Sequence, residues 1–265
     1  MTEMELSTQR QPPHAVGILG GMGPAAGADF VRLFVQACTE QLREQGQPVH
    51  DQAYPEHWLV QLPMPDRSLA LRRDPQSPTG PAQHLLQGVG RMAALGVRSV
   101  ALACNTAHAW HGQLQAFFPQ LHVLHIARQT ALHLQAGGAR QAIVLATAGT
   151  YDSGLYDAAL AGCGIAALLP EEGGRARLMQ GIYEGVKQGD TALAARCFGE
   201  VLEPLLQRHG RVPVIMGCTE IPLALPLAPQ ARGAELVDPA WILAQALARD
   251  AYGFNRSPDA GALRA

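Results

Sequence analysis

Two of the five cysteines stand in matched surroundings. Cys104 closes the apolar run Val100-Ala101-Leu102-Ala103 and is followed by Asn105 and Thr106; Cys218 closes Val214-Ile215-Met216-Gly217 and is followed by Thr219 and Glu220. Each run reads as a buried strand giving way to a helix start. A thiol there faces free backbone N–H groups and the positive end of the helix dipole, so its pKa is expected to fall from about 8.5 towards neutrality. Two such thiols suit a reaction needing one base and one acid on opposite faces of a carbon centre. One begins as thiolate and the other as thiol, and equivalent groups permit both directions. The charge that develops when an α-proton leaves must also be stabilised, which preorganised N–H and hydroxyl donors can do. Asn105, Thr106, Thr147 and Thr219 are suitably typed for that role, although helix capping would also employ Asn and Thr.

These residues need elements to position them. Short apolar runs alternate with longer helical stretches along most of the chain, the pattern of βα units and a parallel sheet. Strands are expected at 15–20, 58–62, 97–103, 122–126, 142–146, 165–169, 212–216 and 235–237. Helices are expected at 24–45, 81–95, 106–117 and 191–209, where apolar residues recur at three- and four-residue steps. The pattern occurs twice. The run from Ala15 ends in the small-residue turn Gly20-Gly21-Met22-Gly23, as the run from Ala142 ends in Thr147-Ala148-Gly149-Thr150, and each half later supplies one strand ending in cysteine. The fold class expected is α/β: two pseudo-symmetric, duplicated three-layer domains with mainly parallel sheets and the site in the cleft between them, since such sheets bind ligands at their carboxyl edges. The first domain is expected over 1–117, with 1–14 a flexible tail, the second over 118–228, and 229–265 returns to the first.

Composition narrows the function classes. The chain has 265 residues, 48% hydrophobic and 16% charged, with net charge −2. No basic run offers a footprint for nucleic acid or an anionic membrane, and no apolar run is long enough to span a bilayer. Without a secretory signal the cytoplasm is the expected compartment, and five widely spaced cysteines do not suggest a disulfide scaffold. Cys38, Cys163 and Cys197 lie in helical or apolar surroundings and read as packing residues. Nineteen of the 20 cationic residues are arginine, leaving Lys187 as the single lysine. Ammonium and guanidinium are not interchangeable at a tight site, so that solitary lysine is a candidate. The turn Gly20-Gly21-Met22-Gly23-Pro24 fails the dinucleotide-binding spacing and reads as a close-approach loop bringing Met22 to a cleft. Cys104, His108 and His111 fall at helical spacing and could share a zinc ion, but no fourth ligand offers itself. An amino-acid-binding protein without catalysis is a third reading.

Taken in order, Gly20-Gly21-Met22-Gly23-Pro24, Pro65-Asp66-Arg67, Cys104-Asn105-Thr106-Ala107-His108, the segment Gly181–Lys187 and Gly217-Cys218-Thr219-Glu220-Ile221-Pro222 resemble the aspartate racemase branch of the aspartate/glutamate racemase superfamily. The likeness runs from about residue 15 to 250. It implies a homodimeric amino-acid racemase of two pseudo-symmetric domains that uses neither PLP nor a metal. By that resemblance Cys104 and Cys218 are the catalytic pair, Arg67 and Lys187 hold the distal carboxylate of an acidic amino acid, and Asn105, Thr106 and Thr219 contact its α-carboxylate. Met22 falls on the loop beside the substrate. The segments Val60–Met64 and Arg72–Thr79 depart from the pattern and leave side-chain selectivity open between aspartate, glutamate and a broader range.

Overall fold

A computed structural model describes residues 12–253. The tail expected over 1–14 lies outside these residues apart from its last three, where the His14 N–H donates to the Ala251 carbonyl at 2.9 Å.

Among the described residues eight strands form where apolar runs predict them: β1 (Val16–Gly20), β2 (His57–Gln61), β3 (Ser99–Leu102), β4 (His122–Val123), β5 (Gln141–Ala146), β6 (Ala166–Leu168), β7 (Val214–Gly217) and β8 (Leu236–Val237). All pair in parallel, in two four-stranded sheets of order β2-β1-β3-β4 and β6-β5-β7-β8. The second sheet repeats the order of the first. In each the order reverses at its two central strands, β1 beside β3 and β5 beside β7, where loops diverge and leave a crevice at the carboxyl edge. Both central pairs are buried on both faces, which is why they read as unbroken apolar runs.

Helices cover both faces of each sheet. They are α1 (Pro24–Glu44), α2 (Arg67–Arg73), α3 (Pro81–Ala94), α4 (His111–Phe117), α5 (Ile126–Ala136), α6 (Ala148–Asp152), α7 (Leu155–Gly162), α8 (Glu172–Gln180), α9 (Thr191–His209) and α10 (Pro239–Ala251). Local chemistry sets their ends. Pro24 opens α1 at a position where a missing N–H costs nothing, and Asp190 starts α9 by accepting from the Leu193 N–H at 2.8 Å. The outer faces are covered by α3 and α4 on the first sheet and by α8 and α9 on the second. Between the sheets lie α1, α10, α5 and α7, and one core joins Val16 and Ile18 of β1, Phe30 and Phe34 of α1, Leu243 and Leu247 of α10, and Val144 of β5. The two lobes are therefore fused through a shared middle layer. No helix among the described residues is long and apolar enough to cross a membrane.

Strand pairing divides the chain differently from the expected boundaries. Residues 122–123, expected in the second domain, form β4 and pair with β3 of the first sheet, whereas 236–237, expected in the returning segment, form β8 of the second. Apolar runs mark strands but carry no record of their partners. The expected helix over 106–117 also divides, into a tight 3-10 turn (Thr106–Trp110) and α4, and the segment Gly181–Lys187 is a π-turn (Gly181–Gly185) running into a 3-10 turn (Val186–Gln188).

Candidate active site

The loops leaving the carboxyl ends of β1, β3, β5 and β7 converge. Cys104 follows β3 and Cys218 follows β7, each 6% exposed. Neither heads an α-helix: five residues of 3-10 turn follow Asn105, and three follow Glu220. The helix dipole expected to lower both thiols is consequently weak, because its charge comes from many aligned peptides. For Cys218 the expectation reverses. Its Sγ donates to Glu220 Oε2 at 3.0 Å, beside the Thr219 hydroxyl, which donates to the same oxygen at 3.1 Å. Burial, and next the Glu220 charge, push the Cys218 thiol well above its ordinary range.

On the first lobe, Asp66 caps α2 by accepting from the Leu69 N–H at 2.8 Å and also accepts from the Tyr183 hydroxyl of the second lobe. Burial disfavours the Asp66 charge, but the bonds from Tyr183 and Leu69 and the Arg67 charge outweigh it and hold the carboxyl below its usual pKa. Lys187 lies one turn beyond Tyr183, its Nζ 4.3 Å from the centre of that ring, a cation–π contact. Arg67 is tied down by the Met22 carbonyl and, at 3.3 Å, by the Pro65 carbonyl, while its Nε is buried without a hydrogen-bond partner among the described residues. Burial opposes its charge too, yet Cys104 and Asp66 overcome this and raise its pKa, so a permanent guanidinium stands beside Cys104. The turn that supplies Met22 requires glycine at position 21, where φ is +91° and a Cβ would sit 2.2 Å from the Leu62 carbonyl oxygen.

The donors gather beneath. Asn105 Oδ1 accepts from the Tyr156 hydroxyl at 2.6 Å, and its Nδ2 is buried with no partner among the described residues. The hydroxyls of Thr106, Thr147 and Thr150 contact one another at 2.9–3.1 Å across the lobe boundary. Thr147 also caps α6 by accepting from the Thr150 N–H at 3.2 Å, whereas Asn105 makes no capping bond. All nine residues singled out in the sequence, Met22, Arg67, Cys104, Asn105, Thr106, Thr147, Lys187, Cys218 and Thr219, line one cleft.

Residues 19–247 match the family described as Asp/Glu/Hydantoin racemase. The chain belongs to that family. It is an amino-acid racemase, an isomerase. The broad specificity amino-acid racemase RacX of Bacillus subtilis is 24% identical over 209 residues, 78% of this chain and 85% of that protein. The aspartate racemase of Picrophilus torridus superposes with a TM-score of 0.69 at 26% identity, covering 90% of this chain and 94% of the other. The glutamate racemase of Francisella tularensis shares the fold at 15% identity and TM-score 0.60, covering 89% and 80%.

Four further residues line the racemase cleft: Ser68, Ile182, Tyr183 and Glu220. Glu220 and Tyr183 sit inside motifs already noted, but their roles depend on a neighbour at hydrogen-bond distance that spacing does not reveal. Ser68, which accepts from the Gly149 N–H at 3.2 Å, carried no signal. The histidines considered for zinc turn to other work. His108 Nδ1 bonds the Cys104 carbonyl at 2.9 Å and His111 Nε2 the Val123 carbonyl at 2.7 Å, and no group of three or more His, Cys, Asp or Glu among the described residues gathers to hold a metal. The arrangement can present a thiol–carboxylate pair and a thiol–guanidinium pair to one small ligand, with unpartnered N–H donors and an ammonium close by.

Proposed function

We propose that this racemase interconverts the L- and D-forms of a small acidic amino acid, aspartate first, by proton transfer between Cys104 and Cys218 without a cofactor. One observation carries the reading: both cysteines, at equivalent strand ends of two sheets with the same strand order, line a single cleft that also holds Arg67 and Lys187. Cys218 donates its thiol proton to Glu220 and is assigned as the acid, and Cys104, beside the Arg67 guanidinium, is assigned as the base. Cys104 takes the α-proton as negative charge moves onto the α-carboxylate. Asn105 Nδ2 and the hydroxyls of Thr106 and Thr219 receive that charge, which acts where water is excluded and the donors need no reorganisation. Cys218 then delivers its proton to the opposite face. Lys187 and Arg67 supply charge-assisted contacts for the distal carboxylate.

The Bacillus subtilis relative supports a second reading on the same residues, a wider range of amino acids. A panel of L- and D-amino acids in deuterated reducing buffer, without added PLP or metal, tests both. Loss of optical rotation with deuterium entering at the α-carbon is expected for aspartate. Cys104→Ala and Cys218→Ala should each abolish racemisation, with one variant retaining exchange at a single face. Full activity in both variants refutes the two-thiol assignment.

A further inference from the structure

Outside the cleft lining, one side chain touches both cysteine-bearing turns. Tyr156, on α7 of the second lobe, is 2% exposed. Its hydroxyl crosses to the first lobe and donates to Oδ1 of Asn105, the residue after Cys104. Its ring rests against Gly217, the residue before Cys218: a Cβ built there would lie 3.0 Å from Tyr156 Cε2, with Ala146 Cβ and the Leu145 carbonyl oxygen at 3.1 Å. Glycine at 217 is thus what allows the strand to approach the ring so closely.

We propose that Tyr156 is a positioning residue that fixes the distance and orientation of the two cysteine turns, and aims the Asn105 amide at the substrate. An asparagine amide offers a carbonyl oxygen on one side and two N–H donors on the other. With Oδ1 taken by a buried phenol, Nδ2 is turned the other way, and it is the side of Asn105 left without a partner. A developing carboxylate charge requires donors, so this orientation is the useful one, and a free amide would spend part of its time reversed. Burial raises the Tyr156 phenol well above its ordinary pKa, which keeps the donated proton in place throughout the working pH range. The same ring transmits the position of Gly217, and with it Cys218, to the residue adjoining Cys104.

The geometric part of the proposal is independent of the proton-transfer reading, and its catalytic consequence rests on it, so the test has two arms. The chain contains only two asparagines, Asn105 and Asn255. Labelling with 15N-asparagine therefore yields two side-chain amide pairs, assigned by the one lost in Asn105→Ala. In the parent the Asn105 pair should be well separated and slow to exchange with solvent. In Tyr156→Phe it should exchange at least about tenfold faster, as the amide gains freedom to rotate. Gly217→Ala, which removes no hydrogen-bonding group, should shift the same signals by displacing the ring. Unchanged Asn105 signals in both variants overturn the proposal. In the kinetic arm, Tyr156→Phe should lower kcat/KM about tenfold, largely through kcat, and have no further effect when Asn105 is already alanine. An equal loss in the Asn105→Ala background would show a purely structural role and also overturn it. A parent inactive on every amino acid would sink the proposed reaction, while the amide signals still decide what Tyr156 does.

Discussion

Replacing Glu220 by glutamine isolates the group that distinguishes the two thiols. In the parent, Glu220 accepts the Cys218 proton at 3.0 Å in a buried setting, which favours the thiol and repels the thiolate. Glutamine removes the charge and can turn its N–H groups towards sulfur. A bond that held the thiol is exchanged for one that can hold the thiolate, a swing of at least one charge-assisted hydrogen bond, about 1.5–3 kcal/mol. At 1.36 kcal/mol per decade this raises the thiolate fraction at fixed pH about ten- to hundredfold. A more stable thiolate is a weaker nucleophile, with a Brønsted slope of about 0.4–0.5, so the net gain in reactivity is about four- to fifteenfold. The assay is alkylation by iodoacetamide at pH 8, followed site by site through peptide mass mapping. Cys218 should react faster in Glu220→Gln by that factor, with its pH profile displaced to lower pH, while Cys104 changes by less than about twofold. Unchanged or slower alkylation of Cys218 would refute the claim that Glu220 holds its proton.

Acid stability follows from the buried histidines. Burial lowers the pKa of His108 to about 4 and of His125 to about 2, with neighbouring histidines adding to the effect. Below about 6.5 the unfolded chain binds protons that the folded one refuses, so stability falls as pH falls, by about 1.4 kcal/mol per pH unit for each histidine until its folded pKa is reached. For His108 this amounts to about 3 kcal/mol between pH 6.5 and 4. Replacing His125 with asparagine, which can still cap α5 as His125 does through the Arg128 N–H, should make the acid limb of a denaturant-stability profile shallower. A profile with unchanged slope would argue against it. Lys187→Gln should lower kcat/KM for aspartate about ten- to hundredfold, the worth of a charge-assisted contact, and that for alanine by less than about threefold. An equal loss on both substrates would remove Lys187 from side-chain recognition.

What the residues determined by themselves is the sheet framework and part of the membership of the cleft. Strands buried on both faces must be apolar throughout, so β1, β3, β5 and β7 are visible as runs, and the turns at their carboxyl ends are visible as the small and polar residues that break them. Cys104, Cys218, Thr147 and Met22 all lie on those turns, which is why spacing found them. Tertiary structure alone decided the asymmetry. Whether a thiol is held protonated depends on the carboxylate or guanidinium brought within a few ångströms of it, and Glu220 beside Cys218 and Arg67 beside Cys104 are products of loop geometry, not of the local helix start the sequence suggested. The same holds for contacts between lobes. Tyr156 to Asn105 and Tyr183 to Asp66 join residues 51 and 117 positions apart, distances over which no periodicity speaks and only the packing of one sheet's edge against the other selects the partner.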